Sequence, residues 1–235
     1  MLLINPIDIL ALCWFVFCWA GYTWGADHRG PSQSRGLSQA TAAHREIWMR
    51  RMLERENRIV DSTLLGNLMR SVAFFASTTT LIIGGLVASL GAAEQAISIV
   101  QEIPFAAPVS PLLWKAKLLL LVLIFIYAFF KFTWSTRQFN YCNILIGAAP
   151  MDISDTVEVD EYACRAAHLL ALAGENFNRG LRAYYFGLAV LSWFINPWLF
   201  MAVSGWVVLV LYRREFASRT LKALTADEKP DQPIT

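Results

Sequence analysis

Several polar side chains stand where apolar runs of this sequence give way to charged segments, and their chemistry could serve a function. A group of cations and amides at such a boundary could select anions at a pore mouth or bind acidic lipid headgroups. Ordinary capping and snorkelling at helix ends explain the same residues without a ligand. This inner-mouth set consists of Asn67, Arg70, Lys131, Arg137, Gln138, Asn140, Asn176, Arg179 and Arg182.

Residue types that perform catalysis or bind metals do not form a recognisable motif. The three histidines are scattered, without H-E-x-x-H, a Gly-rich phosphate loop or G-x-S-x-G, and no apolar run contains a histidine that could bind haem. The four cysteines show no CxxC spacing and are interpreted as free thiols. Acids between Asp155 and Glu161 suit the first turns of a helix. We therefore expect no enzymatic activity, catalytic residue, cofactor or metal, and no nucleic-acid partner.

Composition places the chain among membrane proteins. It has 235 residues, of which 56% are hydrophobic and only 16% charged, and its mean hydropathy is +0.44. Soluble domains are less apolar and carry more charge. The polar residues must therefore be positioned by helices that cross a bilayer.

Three stretches match the roughly 20 apolar residues that a crossing helix needs: residues 4–24, 72–91 and 112–132. The first lacks the positive start and A-x-A site of a signal peptide, so we expect an uncleaved anchor. We expect Lys115 and Lys117 to snorkel to headgroups at the start of the third.

A fourth apolar stretch, residues 183–212, is interrupted by Asn196 and Pro197. It is either a single Pro-kinked crossing or a hairpin of two short legs, residues 183–195 and 198–212. The hairpin is favoured because it places Trp193 and Trp198 at the interface and returns the basic tail to the arginine-rich side.

The distribution of Lys and Arg predicts orientation. The segment 25–70 is rich in Arg, whereas the segment 92–111 has neither Lys nor Arg. Because basic residues collect on the cytoplasmic side, the first segment is expected inside and the second outside. The N-terminus is then outside and the C-terminus cytoplasmic.

Two cytoplasmic helices are expected, over residues 41–70 and 155–180. In the first, Glu46 and Arg50 stand at i,i+4, and Glu54, Glu56 and Asp61 are interpreted as ordinary surface acids. No helix breaker separates residues 41–70 from the second span, so one continuous rod is predicted.

The second span carries a stripe of small residues at i,i+4 spacing, a pattern that permits close approach of another helix. The stripe consists of Ala76, Thr80, Gly84 and Ala88, and it continues to Ala92. It could line a pore or mediate self-association, but packing within the chain is the favoured interpretation.

Several longer strings carry a resemblance to a known family: "ERENRIVDSTLLGNLMRSVAFFASTT", "YAFFKFTWSTRQFNYC", "AHLLALAGENFNRGLRAYYF" and "LYRREFASR". The chain resembles family 599 among the domains of unknown function, multi-pass membrane proteins of bacteria and plants. The resemblance extends from about Pro6 to Arg219. It implies an integral membrane protein but no established activity, so it assigns no functional residue.

Together these observations predict an all-α, polytopic membrane bundle in a bacterial inner membrane, with residues 1–222 as a single membrane domain and residues 223–235 as a flexible tail. The leading hypothesis is a homo-oligomeric channel or transport protein with a basic cytoplasmic vestibule that could also bind anionic lipid headgroups. An accessory or scaffold subunit that docks another membrane complex is the alternative, and a lipid-acting enzyme at the membrane interface is a minor one.

Overall fold

The protein is all-helical in a computed structural model that describes residues 5–27, 36–151 and 156–226. No strand occurs in these residues, which confirms the predicted class. The helices are α1 (Pro6–Asp27), α2 (Leu37–Leu53), α3 (Ile59–Ser89), α4 (Ala93–Gln101), α5 (Pro111–Ala148), α6 (Thr156–Trp193), α7 (Pro197–Phe216) and α8 (Arg219–Leu224).

Helices α5 and α6 form the central antiparallel pair. Each has 38 residues, a length of about 57 Å at 1.5 Å per residue. At one end Lys117 donates a hydrogen bond to the Trp193 carbonyl at 2.8 Å. Midway, the Ser135 hydroxyl donates to the Ala173 carbonyl at 2.7 Å. Near the other end the Tyr162 hydroxyl donates to the Leu145 carbonyl at 2.7 Å, so the two helices stay paired beyond the length of a single crossing.

Three helices begin with proline at the same end of the bundle: α1 at Pro6, α5 at Pro111 and α7 at Pro197. Proline suits the first helical position because its fixed φ is already helical and no N–H is lost there. At α7 the Asn196 side chain also accepts the Trp198 N–H at 2.8 Å as an N-cap. We call this end the proline end.

Helix α1 packs against α6 and α7. Near the proline end the Phe15 ring lies 5.2 Å from that of Phe200 on α7 and 5.8 Å from that of Phe186 on α6. The Trp14 indole donates to the Met201 carbonyl at 3.1 Å. Helix α1 therefore runs parallel to α7 and antiparallel to α6.

Away from the proline end, α5 and α6 continue past α1 and α7 and are joined by α2 and the start of α3. Arg50 of α2 lies 3.4 Å from the Asp160 carboxylate of α6. Arg58 donates to the carbonyls of Ala149 and Pro150 at the end of α5. We call this region the helical extension; it comprises α2 and residues 59–71, 133–148 and 156–179.

The prediction of one rod from residue 41 through the second span is wrong. Helix α2 ends at Leu53, and α3 begins at Ile59. The Asn57 side chain accepts the Ile59 N–H at 3.0 Å at the start of α3. Arg58 turns away to satisfy carbonyls at the α5 terminus, where a helix has unpaired acceptors. The break is thus stabilised by a tertiary contact.

The stretch from residue 183 to residue 212 forms a helical hairpin. Helix α6 ends at Trp193, and α7 begins at Pro197 and packs back against it, with the rings of Trp193 and Phe200 stacked at 4.9 Å. The alternative of a single kinked helix is therefore excluded. The predicted cytoplasmic helix 155–180 and the first leg 183–195 are one continuous helix, α6.

A short helix that was not predicted, α4, lies in the proline-rich connection between α3 and α5. It buries Ala93 and Ile97 on one face. After α4, the Ala107 N–H donates to the Ile195 carbonyl at 2.8 Å, which ties this connection to the turn between α6 and α7.

Within the described residues, three helices are long and apolar enough to cross a membrane: α1, α3 and α5. They include the three predicted spans except residue 4, which lies outside the described residues, Asn5, which precedes α1, and residues 90–91, which follow the end of α3. Of the predicted C-terminal tail, residues 223–226 are described and begin within α8; residues 227–235 lie outside the described part.

Candidate functional site

The inner-mouth residues separate into a surface group and an internal group. Asn67 and Arg70 are exposed on α3 and hydrogen bonded to each other, and Arg137 and Asn140 are exposed on α5. The others lie buried or half-buried where α1 meets the central pair: Lys131, Gln138, Asn176, Arg179 and Arg182. A single chain therefore brings five of the nine predicted residues together.

A chain of amides secures Lys131. The buried Asn176 side chain donates to the Gln138 side-chain oxygen at 2.9 Å and to the Leu172 carbonyl at 3.0 Å. Its own oxygen lies 3.4 Å from the Lys131 ammonium, which donates to it. Buried amides are costly unless bonded in this way.

Asp27, which the sequence analysis did not single out, holds the two arginines of the internal group. Its carboxylate lies 3.1 Å from Arg179 and 3.0 Å from Arg182. The Arg182 guanidinium also lies over the Tyr22 ring, 5.5 Å from its centroid. The sequence did offer a signal for Asp27: it is an acid at the end of an apolar run, just before an arginine-rich segment.

A cavity of about 220 Å³ opens beside these residues, between α1, α2, α6 and α7. Arginines reach it from three helices: Arg45 of α2, Arg182 of α6 and Arg214 of α7. We call it the arginine pocket. Its other polar lining includes Tyr22, Ser38, Thr41, Asn178, Tyr185 and Glu215.

Arg45 enters the arginine pocket across a glycine of α6. A Cβ atom at Gly174 would lie 2.6 Å from a terminal nitrogen of Arg45, so only glycine permits the guanidinium to lie so close to the helix. Burial lowers the pKa of Arg45, and the Glu175 carboxylate opposes that shift. The charge is therefore held where water solvates it poorly.

The other two polar groups of the pocket are fixed by neighbours. The Arg214 guanidinium donates to the Tyr185 hydroxyl at 2.7 Å. The Glu215 carboxylate accepts the Ser38 N–H at 3.0 Å, at the start of α2. An acid is favourable there because the first N–H groups of a helix are unpaired and carry positive partial charge.

The small-residue stripe of α3 faces outward. Thr80, Gly84 and Ala88 are exposed and Ala76 is half-buried, so the prediction that the stripe packs within the chain is wrong. A Cβ at Gly84 or Gly85 would meet nothing within 4 Å. The buried hydroxyl on α3 belongs instead to Thr79, which is 2.8 Å from the Tyr184 hydroxyl.

A buried ion pair at the proline end was also missed. The prediction that Lys117 snorkels to headgroups is wrong, because its side chain is only 3% exposed. Its ammonium lies 3.7 Å from the Asp8 carboxylate. The Trp193 indole donates to the same carboxylate at 2.7 Å. Lys115, in contrast, is exposed.

Asp61 was predicted as a surface acid, and that prediction is wrong. It is fully buried and accepts hydrogen bonds from the Trp48 indole at 2.7 Å and from Arg55. It thereby joins α2 to α3 across the break between them. Glu54 and Glu56 are exposed, as predicted.

These features define a class: an all-helical protein whose described residues include three helices fit to cross a membrane, with a helical extension at one end and a basic pocket beside it. The chain belongs to the family described as "Protein of unknown function, DUF599", whose profile matches residues 10–220. The resemblance seen in the sequence is thus confirmed. Searches of curated proteins and of solved structures gave no significant match.

Proposed function

We propose that the protein is an integral membrane protein that self-associates through α3 and provides a route for permeation or transport, with Arg70 at its basic mouth. The supporting observation is the exposed small-residue face of α3. Between residues 71 and 89 this helix extends about 27 Å, close to the thickness of a hydrocarbon core.

Self-association fits the chemistry of that face. Helices in lipid associate where small residues allow backbones to approach closely. Gly84 and Gly85 have open space around them, and Ala88 is exposed beside them. A second copy of α3 placed there gains close contacts that lipid chains supply less well.

Transport is supported by the polar residues that continue the same face. Ser77 is exposed within the apolar part of α3, and Asn67 and Arg70 are exposed on the same helix where it enters the helical extension. An assembly around α3 would place several Arg70 side chains at one mouth, where cations select anions. Arg182 does not belong to this mouth, because it is paired with Asp27 and lines the arginine pocket.

The orientation belongs to this proposal as well. The helical extension lies on the cytoplasmic side of a bacterial inner membrane, the proline end lies outside, and the protein is not an enzyme. The distribution of Lys and Arg supports the sidedness.

Oligomeric mass in mild detergent tests self-association. We expect the wild-type protein to be an oligomer and Ala88→Leu to shift it to monomer, because leucine fills the space that a second helix would occupy. Ala116→Leu is the matched control, since Ala116 is also exposed, on α5. A wild-type monomer would contradict the proposal.

Anion flux into liposomes that contain the purified protein tests transport. We expect flux with the wild-type protein and a clear reduction with Arg70→Ala, but little change with Arg137→Ala, which removes an exposed arginine of α5. Absence of flux together with co-purification of an unlike membrane protein would support the accessory or scaffold role instead.

A further inference from the structure

We propose that the arginine pocket and the adjoining groove between α1 and α7 together bind one anionic phospholipid. Its phosphate lies among Arg45, Arg182 and Arg214, and one acyl chain follows the groove. The inference rests on the membrane insertion of the proposed function, but neither on self-association nor on transport.

The arginine pocket has an excess of positive charge. Its lining includes three arginines and one carboxylate, Glu215, and that carboxylate already accepts the Ser38 N–H. Within the described part of the chain, Arg45 and Arg214 have no carboxylate at ion-pairing distance. A phosphate would supply the missing acceptor, since guanidinium groups bind phosphate oxygens in bidentate geometry.

The start of α2 adds to this preference. Leu37 and Ser38, the first residues of that 17-residue helix, line the pocket. The N-terminus of a helix carries positive partial charge that favours an anion nearby. Three guanidinium groups and a helix terminus therefore converge on one small cavity; Asp27 already pairs with Arg182 and Glu215 with the helix terminus, which leaves Arg45 and Arg214 to bind the phosphate most directly.

The groove is apolar and is created by glycines. It has a volume of about 480 Å³, and among the described residues that line it none carries a formal charge. A Cβ at Gly21 or Gly25 of α1 would meet nothing within 4 Å, and one at Gly205 of α7 would meet only Trp14, at 4.0 Å. Glycines usually let helices approach closely, whereas these leave space between two parallel helices.

The length and position of the groove suit an acyl chain. From Trp14 to Gly25 the groove follows α1 for about 17 Å, roughly one leaflet of a 30 Å core. Tyr22 lines both the groove and the arginine pocket, so the two cavities adjoin. A polar pocket that continues into an apolar groove along a membrane helix matches the two parts of a phospholipid.

Retention of lipid by the full-length protein tests the inference. The protein is reconstituted in vesicles of equal parts phosphatidylglycerol and phosphatidylcholine, extracted in neutral detergent and examined by native mass spectrometry. We expect retained phosphatidylglycerol to exceed phosphatidylcholine. Arg45→Gln combined with Arg214→Gln should lower that retention about tenfold, the loss expected for a charge-assisted hydrogen bond.

Two further variants separate charge from shape. Arg51→Gln removes an exposed arginine of α2 outside the pocket and should leave retention unchanged. Gly21→Leu fills the groove without altering charge and should lower retention several-fold. Circular dichroism and a monodisperse elution profile establish that each variant is folded.

Equal retention of both lipids, or no effect of the arginine variants, would overturn the inference. Complete displacement of phosphatidylglycerol by inorganic phosphate would also overturn it, because the pocket would then hold a free anion. Resistance of the protein to carbonate extraction measures membrane insertion separately. Insertion without selective retention removes the lipid site alone, whereas loss of insertion removes the proposed function.

Discussion

At the scale of residues, the structure buries a pair of opposite charges between helices. Asp8 and Lys117 form their pair at the proline end, where the Trp193 indole and carbonyl complete their hydrogen bonding. Ions placed out of water are stable only when they are paired and hydrogen bonded. Because the three residues come from three distant parts of the chain, the sequence predicted neither the pair nor its burial.

Replacement of Lys117 by Met should therefore destabilise the fold more than replacement of Lys115. Removing one partner leaves the Asp8 carboxylate buried without its counter-ion, at a cost of about 3 kcal/mol. We expect Lys117→Met to lower the apparent unfolding temperature in detergent by several degrees. Lys115→Met, at an exposed position, should change it little.

A double variant checks the cause. Asp8→Asn combined with Lys117→Met removes both charges and should recover part of the lost stability. If Lys117→Met and Lys115→Met have the same unfolding temperature, the pair contributes nothing and this account of the proline end is wrong.

At the scale of elements, the apolar runs of the sequence predicted where the helices lie. The breaks between helices were predicted less well. The spans 72–91 and 112–132 lie almost wholly within α3 and α5, because a long apolar run leaves a helix few alternatives. The break at residues 54–58 depends on Arg58 reaching the end of α5, a contact that no local pattern encodes. Local signals such as Asn196 and Pro197, in contrast, correctly marked the hairpin.

The same limit applies to the candidate site. The sequence predicted that cations and amides would collect at one level of the bundle, and five of them do meet there. It did not predict which face of each helix they occupy, nor that Arg45 and Arg214 join Arg182 around a pocket. Those positions depend on how α2 and α7 pack on α6, which a single sequence does not specify.

The packing of α5 on α6 depends on Gly180. A Cβ there would lie 2.4 Å from the Phe132 ring, which is fully buried and lies 5.5 Å from Phe75 and 5.7 Å from both Phe177 and Tyr184, centroid to centroid. These three neighbouring rings restrict the movement of Phe132. We expect Gly180→Ala to destabilise the protein by about 1–3 kcal/mol, measured as a lower unfolding temperature.

Gly147→Ala is the matched control, since Gly147 lies on α5 away from the small-residue face and a Cβ there meets nothing within 4 Å. Phe132→Leu should restore part of the stability of Gly180→Ala by removing ring atoms from the contact. Full stability of Gly180→Ala alone would show that the two helices are not packed as closely as described.

At the scale of the whole molecule, the distinction between an apolar bundle and a helical extension organises everything else. The extension carries Arg50, and Arg58 and the arginine pocket border it, whereas the opposite end carries the connection between α3 and α5 that has neither Lys nor Arg. The distribution of Lys and Arg therefore predicts which side of the membrane each end of the molecule faces. Helix packing by itself carries no information on it.

Labelling with a maleimide that cannot cross the membrane tests that sidedness in intact cells. In a variant whose native cysteines are replaced, we expect Glu102→Cys, in the connection between α4 and α5, to be labelled from outside. Glu56→Cys, between α2 and α3, should be labelled only after the membrane is opened. Both positions are exposed, so access depends on the membrane. The reverse pattern would invert the proposed orientation.

Cysteine crosslinking across α3 in native membranes tests self-association most directly. In the same cysteine-replaced background, Gly84→Cys places a thiol on the exposed face of α3, and Leu123→Cys places one on the exposed surface of α5. Disulfides need Cα atoms within about 7 Å. We expect a disulfide-linked dimer with Gly84→Cys and none with Leu123→Cys; a monomer with Gly84→Cys under oxidising conditions would contradict the assembly through α3.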